Sequence, residues 1–521
     1  MHSHLLFRAI APLLILGVPV SFASPTAIPV AAPVADAAPD FTGSPVQWAP
    51  SKTAKSRRDL LGDTVSSVLS DLGSNIPTYV ADGVADFFQD FPSGGAVQSS
   101  LGLDSTQVAA LPTQVLNLPP YANWTNAGWN IRFHGNVYKQ PNISEAKLDD
   151  LANGFLIGTS VSKLPASQAA QARNVTAEIY VVQQGNQNVS FHVEPGATAG
   201  ASGQADGSGA VVPKGGFQNI FFPTPTTPEG DYDGFVPINV TGLQAGNATT
   251  DVQQLNVYTF GTETGNATAY LVPDEGITIV NDIDDILRVT RIYQPADGLL
   301  NSFARPYTPW MNMPEIYVNL SKSIPTMHFH YLTTTPEQIT RNYMEFIYAN
   351  YPGGSFDTRP LNFSDVSETL SVRKFLLQKV FETFPKRKFV LVADTSNSDV
   401  MSDYPALATE FPGQVLCIWL RNTSSTDSGD HFPYDTSGFK GLNTSSYMFF
   451  NVPDDLKNLD VVNGNCLNAT VKQNVTFSEQ GLPFGLSKKS AGNSLTHSLS
   501  CWAFCPSVLL PLAFGFGLGL W

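Results

Sequence analysis

Four short apolar runs between residues 276 and 422 constrain the fold of this chain more than any other feature. Each run is rich in β-branched and aromatic residues and has the length of a strand that is buried on both faces. Helical patterns separate the runs, and strands that alternate with helices form a parallel sheet with right-handed crossovers. The sequence therefore predicts an α/β fold with helices on both faces of a parallel sheet. The runs are GITIVND, TMHFHYLT, KFVLVAD and QVLCIWLRN.

Two of the helical patterns are well defined. The segment TPEQITRNYMEFIYAN has Thr335 as its predicted N-cap and Gln338 three residues later, which is the pattern of a capping box. The segment SVRKFLLQKVFETF has an apolar face that we assign to Val372, Phe375, Leu376 and Val380. Both segments are expected to cover the predicted sheet.

Polar side chains follow three of the predicted strands. Asp282 and Asp284 follow the first strand, Thr333 ends the second, and Asp394 and Asp399 follow the third. Parallel α/β sheets bind ligands at the carboxyl ends of their strands, so these groups are expected at one edge. Crowded carboxylates require a shared cation or proton, and hard oxygen ligands suit Mg²⁺. The alternative for the first acidic cluster is a helix N-terminus whose acids interact with the helix dipole.

Three ordered motifs resemble those of a known family. DIDDIL, FHYLTTTP and FPKRKFVLVADTSNSD together are similar to the catalytic domain of the fungal actin-patch-associated phosphatidate phosphatases, in the haloacid dehalogenase superfamily. The resemblance covers about residues 276 to 425, with a weaker similarity from Trp129 onward in the preceding segment. It implies a Rossmann-like haloacid dehalogenase sheet and a phosphatase activity.

The resemblance also implies roles for individual residues. Asp282 matches the nucleophile, which would form an aspartyl-phosphate. Asp284 matches the general acid and base that protonates the leaving oxygen and then activates water. Thr333 matches the hydroxyl that binds the phosphoryl group. A positive side chain is expected to balance the charge, and we assign it to Lys374, with Arg373 as the alternative.

The same resemblance implies a Mg²⁺ site. Asp394 and Asp399 match an acidic pair that holds the metal together with Asp282 and the carbonyl of Asp284. The chain departs from the family pattern where Ile286 takes the position of a usual Thr and where Ala393 takes that of a usual Gly. All four aspartates are nevertheless present, which favours an active enzyme.

The spacing of the motifs and the charge of the chain limit the substrate. About 50 residues separate Asp282 from Thr333 and about 40 separate Thr333 from Lys374, which leaves no room for a large inserted cap domain. An open site admits bulky phosphomonoesters. Phosphatidate is expected from the resemblance, while phosphoproteins and phosphorylated glycans stay open. The formal net charge of −15 argues against a nucleic-acid partner.

A β-rich domain is predicted at about residues 115–270. Short alternating segments separated by Gly, Asn, Pro and Ser turns are typical of an antiparallel β-sandwich. We find no catalytic motif there, so a structural or binding role is expected. The segments are WNIRFHGNVY, VTAEIYVV, VSFHVEP and LNVYTFGTE, with the predicted flexible loop ATAGASGQADGSGA among them.

The N-terminal part of the chain predicts export. Residues 1–23 have the basic, apolar and small-residue regions of a signal peptide, with a buried helix as the alternative. Residues 24–58 are rich in Pro and Ala and are expected to be disordered, and residues 59–114 contain an acidic helical pattern. Glycosylation sequons agree with secretion. They lie at Asn123, Asn142, Asn174, Asn188, Asn239, Asn247, Asn266, Asn319, Asn362, Asn422, Asn443, Asn468 and Asn474.

The C-terminal part predicts a lipid anchor. A C-terminal extension covers residues 431–490, and residues 491–521 have the polar spacer and apolar tail of a GPI-attachment signal. We assign the attachment to Ser490, with Gly492 and Asn493 as competing positions. A tail-anchored transmembrane helix is the alternative.

The chain has four cysteines, and Cys501 and Cys505 lie in the tail that is expected to be removed. Cys417 and Cys466 would then remain. In an oxidising compartment, two remaining thiols are best explained as one disulfide. The alternative is that Cys417 is a free thiol buried in an apolar strand.

Together these features predict a secreted, glycosylated, surface-anchored and Mg²⁺-dependent phosphatase at the outer face of the cell membrane or in the cell wall. Its expected substrate is phosphatidate or another phosphomonoester. The alternative is a catalytically inactive cell-surface protein with a binding or structural role.

Overall fold

The computed structural model describes residues 93–196, 204–205, 211–212, 216–240, 242–247, 251–324, 326–359, 366–427 and 434–480. The predicted signal peptide, the Pro/Ala-rich segment, most of the acidic helical segment, most of the predicted flexible loop and the GPI signal with Ser490 lie outside these residues. No helix of the described part is long and apolar enough to cross a membrane.

A β-rich unit comes first and contains one mostly antiparallel sheet of nine strands. The strands run in the order β1-β3-β2-β11-β10-β5-β8, and β4 and β9 also pair with the long strand β3. The strands β6 and β7 form a separate pair. The bounds are β1 Thr113–Asn117, β2 Tyr121–Thr125, β3 Gly128–Lys139, β4 Val182–Gln183, β5 Ser190–Pro195, β6 Gln204–Ala205, β7 Val211–Val212, β8 Gln218–Phe221, β9 Asp231–Pro237, β10 Gln253–Thr259 and β11 Ala267–Leu271.

Among the described residues, four helices precede or interrupt this sheet: α1 Gly94–Ser100, α2 Ser105–Ala110, α3 Glu145–Asn153 and α4 Ala166–Ile179. The segment VTAEIYVV, which we predicted as a strand, is mostly the end of α4, so this prediction is wrong. The helix forms because Ala169, Ala172 and Val175 recur at helical spacing and are buried together on one face. The other three predicted segments lie in β3, β5 and β10.

The α/β unit follows and confirms the predicted parallel sheet. Six parallel strands run in the order β14-β13-β12-β15-β16-β18. The strands are β12 Ile277–Asn281, β13 His328–Pro336, β14 Ser355–Arg359, β15 Lys388–Asp394, β16 Val415–Arg421 and β18 Tyr447–Phe450, and the short pair is β17 Tyr434–Asp435 with β19 Glu479–Gln480. The helices are α5 Pro295–Phe303, α6 Met313–Ser323, α7 Thr340–Asn350, α8 Val366–Thr383, α9 Ser398–Glu410 and α10 Thr423–Thr426. Single 3-10 turns cover Val161–Lys163, Glu337–Ile339, Ser437–Phe439, Pro453–Leu456 and Val461–Asn463.

The two faces of this sheet contact different helices. Ile279 of β12 belongs to a core that includes residues of α5, α6 and α7, whereas its neighbour Val280 belongs to a second core with residues of α8 and α9. Successive strand residues point to opposite faces. The sheet is therefore covered by helices on both sides, as the continuous apolar runs predict.

The predicted capping box before α7 is wrong. Strand β13 continues through Pro336, and the backbone carbonyl of Thr335 accepts a hydrogen bond from the Thr358 hydroxyl on β14. A 3-10 turn follows, and α7 begins at Thr340 without a side-chain cap. Pairing with the neighbouring strand thus overrides the local capping signal.

The predicted disulfide between Cys417 and Cys466 is present, with Cα atoms 5.4 Å apart. It joins β16 to the segment after β18 and closes a sequence separation of 49 residues. The alternative of a free buried thiol at Cys417 is therefore wrong.

Candidate active site

The end of β12 places Asp282 at the centre of a buried polar cluster. The backbone N–H of Asp282 donates to Val392 of β15, and its Oδ1 accepts from the N–H of Ile283 at 2.9 Å. Its Oδ2 lies 3.1 Å from the Arg373 guanidinium and accepts from the Asn397 amide at 3.0 Å. Burial raises the pKa of Asp282 to about 6, and the Arg373 charge opposes this rise.

Asp394, the last residue of β15, lies in the same cluster. Asp394 Oδ1 accepts from the Ser396 N–H at 2.8 Å and from its hydroxyl, and Oδ2 accepts from Asn397 Nδ2 at 2.9 Å. One amide group therefore joins Asp394 to Asp282. Burial, together with the charges of Asp285 and Asp282, raises the pKa of Asp394 well above its usual value.

Arg373 of α8 takes the position that we predicted for Lys374. Its Nε donates to Asp399 Oδ2 at 2.8 Å, and its Nη2 contacts Asp282. Lys374 instead pairs with Glu410 at 2.5 Å, on the exposed side of the helix. Although burial lowers the pKa of Arg373, the two carboxylates outweigh burial and hold that pKa well above its usual value.

Asp284 is held in a separate set of contacts beside the cluster. Its Oδ1 accepts from Arg288 Nε at 2.8 Å and from the Thr290 hydroxyl at 2.7 Å. Its Oδ2 lies 3.2 Å from the hydroxyl of Tyr343. The Arg288 guanidinium is stacked against Tyr343 and Tyr307, with ring centroids 4.5 Å and 4.0 Å from its central carbon. Arg288 is thereby fixed, and it fixes Asp284 in turn.

The third acid of the motif has a structural role. Asp285 has a left-handed backbone with φ of 58°, and its carboxylate accepts hydrogen bonds from the backbone N–H groups of Thr290, Arg291 and Ile292. These bonds shape the turn that follows β12. The acidic cluster is therefore not simply the first turn of a helix, because β12 is followed by this turn and α5 begins only at Pro295.

Thr333 is buried in β13 at the same end of the sheet. The register pairs Asn281 of β12 with Tyr331, so Thr333 lies level with the turn that carries the acids. Its hydroxyl accepts from the Thr335 N–H at 3.1 Å. This position is compatible with a contact to a bound phosphoryl group.

The four predicted metal ligands do not converge as one set. Within the described residues, no group of three or more His, Cys, Asp and Glu side chains is placed to hold a metal ion. Asp282 and Asp394 do converge on one amide, whereas Asp399 contacts Arg373. Mg²⁺ is usually held by one or two carboxylates, with water and substrate phosphate completing its shell. Two buried carboxylates whose pKa values are raised fit such a cation.

Several residues that contact the predicted carboxylates were not predicted from the sequence, among them Thr290 and Ser396. Asn397, Arg288 and Tyr343 contact the predicted carboxylates directly. Asn397 had a usable signal, because it lies within the motif DTSNSD. Although it is the N-cap residue of α9, its side chain makes no capping bond and instead donates to the two aspartates. Tyr343 is distant in sequence and carried no such signal.

The segment that carries this cluster is similar to known proteins. Residues 277–422 match the family model of the catalytic domain of phosphatidate phosphatase APP1. The chain is also similar to phosphatidate phosphatase APP1 of Saccharomyces cerevisiae, with 28% identity over 167 residues. This match covers 31% of the chain and only 28% of the yeast protein. The expected resemblance to the phosphatidate phosphatase family is thus confirmed over residues 277–422.

Two solved structures that resemble the chain are too distant to inform this comparison. A GH2 beta-galacturonidase from Eisenbergiella tayi, bound to glycerol, has 10% identity and a TM-score of 0.20, and the match covers 60% of this chain and 49% of that protein. The same enzyme bound to galacturonate also has a TM-score of 0.20, with 9% identity. These TM-scores are too low to bear on fold or function.

Proposed function

We propose, from the match of residues 277–422 to the catalytic-domain family of phosphatidate phosphatase APP1, that this chain is a Mg²⁺-dependent phosphatase of the haloacid dehalogenase superfamily. Its proposed substrate is phosphatidate, which it would hydrolyse to diacylglycerol and phosphate. The observation that carries the proposal is that the Asn397 amide joins Asp282 to Asp394, from two adjacent strands, while Arg373 pairs with Asp282.

Asp282 is the proposed nucleophile. Its carboxylate oxygen attacks phosphorus, a new P–O bond forms, and the bond from phosphorus to the diacylglycerol oxygen breaks. Arg373 and Asn397 hold the carboxylate in one orientation, so little reorganisation precedes the attack. The Arg373 charge also favours the ionised form that can attack.

Asp284 is the proposed general acid and base. Arg288 and Thr290 both donate to Oδ1, which leaves Oδ2 as the oxygen that carries the proton. Oδ2 gives this proton to the departing oxygen and later takes one from the water that cleaves the aspartyl-phosphate. The Tyr343 hydroxyl beside Oδ2 can donate to the ionised form or accept from the protonated form.

Asp282 and Asp394 are the side chains that would hold Mg²⁺, with the carbonyl of Asp284 and Asp399 as the further ligands that the family resemblance implies. A bound Mg²⁺ supplies positive charge to the phosphoryl oxygens. Thr333 would donate its hydroxyl to the phosphoryl group from the neighbouring strand.

We further propose that the protein is secreted, glycosylated and attached at Ser490 to the outer membrane face through GPI. The disulfide supports an oxidising compartment. Of the twelve sequon asparagines in the described residues, nine are exposed and none is buried. Release from intact cells by phosphatidylinositol-specific phospholipase C tests the anchor, and a mature protein that retains the peptide with Trp521 would contradict it.

A second candidate is an inactive binding glycoprotein. It is favoured by the aromatic side chains that the β-rich unit exposes, among them Phe217 and Phe221 at 67% and 74% exposure. Large exposed apolar groups often mark interaction sites. The two candidates differ in whether the purified protein releases phosphate.

The deciding experiment is a phosphatase assay of the purified secreted protein with Mg²⁺, against phosphatidate in mixed micelles and several soluble phosphomonoesters. We expect phosphate release from phosphatidate that Asp282→Asn abolishes. Release only from soluble esters would contradict the lipid assignment. The absence of release from every substrate would favour the binding glycoprotein.

A further inference from the structure

A groove of about 680 Å³ lies between the β-rich unit and helix α7, away from the aspartate cluster. One wall is formed by residues of β1, β10 and β11, with Tyr138 of β3. The other includes Arg341, Glu345 and Tyr348, which lie on one face of α7 because they are four and three residues apart. The two walls belong to different units of the fold, so an occupant would connect them.

A glycosylation sequon forms part of the first wall. Strands β10 and β11 are antiparallel, with Asn256 opposite Thr268 and Val257 opposite Ala267. The next pair in this register is Tyr258 and Asn266. Since alternate residues of a strand share a face, both sequon side chains, Asn266 and Thr268, lie with Tyr258 on the groove side. All three line the groove.

The loop that leads to Asn266 has a fixed shape. The Thr264 hydroxyl accepts a hydrogen bond from the backbone N–H of Val115 at 2.8 Å, and the Thr259 hydroxyl donates to the carbonyl of Gly265 at 2.9 Å. Gly265 has φ of 82°, and a Cβ there would lie 2.7 Å from the Thr259 hydroxyl. These constraints hold the exposed Asn266 at the groove.

The groove has the surface chemistry that suits a sugar chain. Tyr258 and Tyr348 are 40% and 37% exposed, and each offers an aromatic ring against which the apolar face of a sugar can pack. The Tyr348 ring is held in place because its hydroxyl donates to the carbonyl of Gly354 at 2.7 Å. Arg341 and Glu345 offer a hydrogen-bond donor and an acceptor for sugar hydroxyls.

We propose that an N-linked glycan on Asn266 occupies this groove and couples the β-rich unit to α7. The glycan would be covalently bound to one wall and would pack on Tyr348 and Arg341 of the other. It would thereby restrict the relative motion of the two units. This inference rests on the export that we propose above and not on the phosphatase activity.

Glycopeptide mass spectrometry and enzymatic deglycosylation of the secreted full-length protein test the location of the glycan. We expect a glycan at Asn266 and, under native conditions, its release about tenfold slower than that from the exposed sequon at Asn188, because the groove must open first. After denaturation, both should be released at similar rates. An unmodified Asn266 or equal native release rates would overturn the proposal.

Hydrogen exchange of α7 tests the coupling. Asn266→Gln and Thr268→Ala both remove the sequon, whereas Thr268→Ser keeps it and serves as the matched control. We expect faster exchange of the amides of residues 340–350 in the first two variants only, and no change in Asn188→Gln. Unchanged exchange after loss of the Asn266 glycan would overturn the coupling, as would an equal change in Thr268→Ser. Enzymatic deglycosylation of the folded wild type provides the same comparison if the variants fail to fold.

Discussion

Replacement of Arg373 by Met should damage both the stability and the activity of the protein. Arg373 is buried and contacts Asp282 at 3.1 Å and Asp399 at 2.8 Å. Removal of one partner from a buried ion pair leaves an uncompensated charge and costs about 3–5 kcal/mol. Because the two carboxylates share this single guanidinium, we expect a loss at the upper end of that range.

The same substitution should change the pH dependence of phosphate release. Asp282 must be ionised to attack phosphorus, and Arg373 opposes the effect of burial on its pKa of about 6. Without Arg373 the pKa of Asp282 rises, so the acidic limb of the rate profile should move to higher pH. At neutral pH we expect a loss of about 10²-fold or more, since a charged group aimed at the reacting centre is lost.

Two further variants make this prediction specific. Arg373→Lys keeps the charge but cannot span both carboxylates with a planar fork, so we expect intermediate stability and activity. Lys374→Met removes only the exposed pair with Glu410 and should cost less than about 1 kcal/mol. Urea unfolding and phosphatidate hydrolysis measure both effects. The reasoning is refuted if Lys374→Met impairs the protein and Arg373→Met does not.

Three other predictions follow from particular contacts. Replacement of Cys417 and Cys466 by Ala should lower the free energy of unfolding by about 4 kcal/mol, because the disulfide closes a loop of about 50 residues. Calorimetry of the variant and the wild type without reductant measures this difference. Burial lowers the pKa of His330 from its usual value of 6.5 to about 4. The free energy of unfolding should therefore be highest above pH 6.5 and should fall by about 3 kcal/mol as the pH falls through 4. Urea unfolding at several pH values should show a smaller fall in His330→Asn. Asp284→Asn should lower phosphate release by about 10²-fold or more, and it should also lower stability because the buried Arg288 loses its carboxylate partner; wild-type activity that resists EDTA would contradict the Mg²⁺ requirement.

The sequence predicted the α/β sheet because its strands are buried on both faces. An unbroken apolar run such as KFVLVAD is typical of a strand that is covered on both faces. In β15, every residue after Lys388 is buried. In the β-rich unit, the apolar pattern led to a wrong prediction for the end of α4. The apolar residues of VTAEIYVV alternate as in a strand, and only the alanines before them reveal the helical face.

The choice between Arg373 and Lys374 depended on the rotation of one helix. We placed Phe375, Leu376 and Val380 on the buried face of α8. Leu376 and Val380 are buried, but Phe375 is 40% exposed, and Arg373 and Leu377 are buried instead. Successive helical residues point about 100° apart, so an error of one position directs the wrong cation to the site. Arg373 lies among the apolar residues of α8 in the sequence. That position was the signal for a buried cation, and we gave it less weight than Lys374.

The contacts of Asp284 could not be predicted from the motif. Arg288 is four residues away, but the rings that hold it come from Tyr307 and from Tyr343 of α7. Such contacts depend on how α7 packs beside β12, which no local pattern specifies.

The most direct test of the account is to trap the covalent intermediate. Purified protein with Mg²⁺ would be mixed with phosphatidate carrying a radioactive phosphate, quenched in acid within one turnover, and digested for peptide mapping. We predict acid-stable label on the peptide that contains Asp282, and none in Asp282→Asn. Phosphate release by the wild type without label at Asp282, or with equal turnover in Asp282→Asn, would contradict the proposed mechanism.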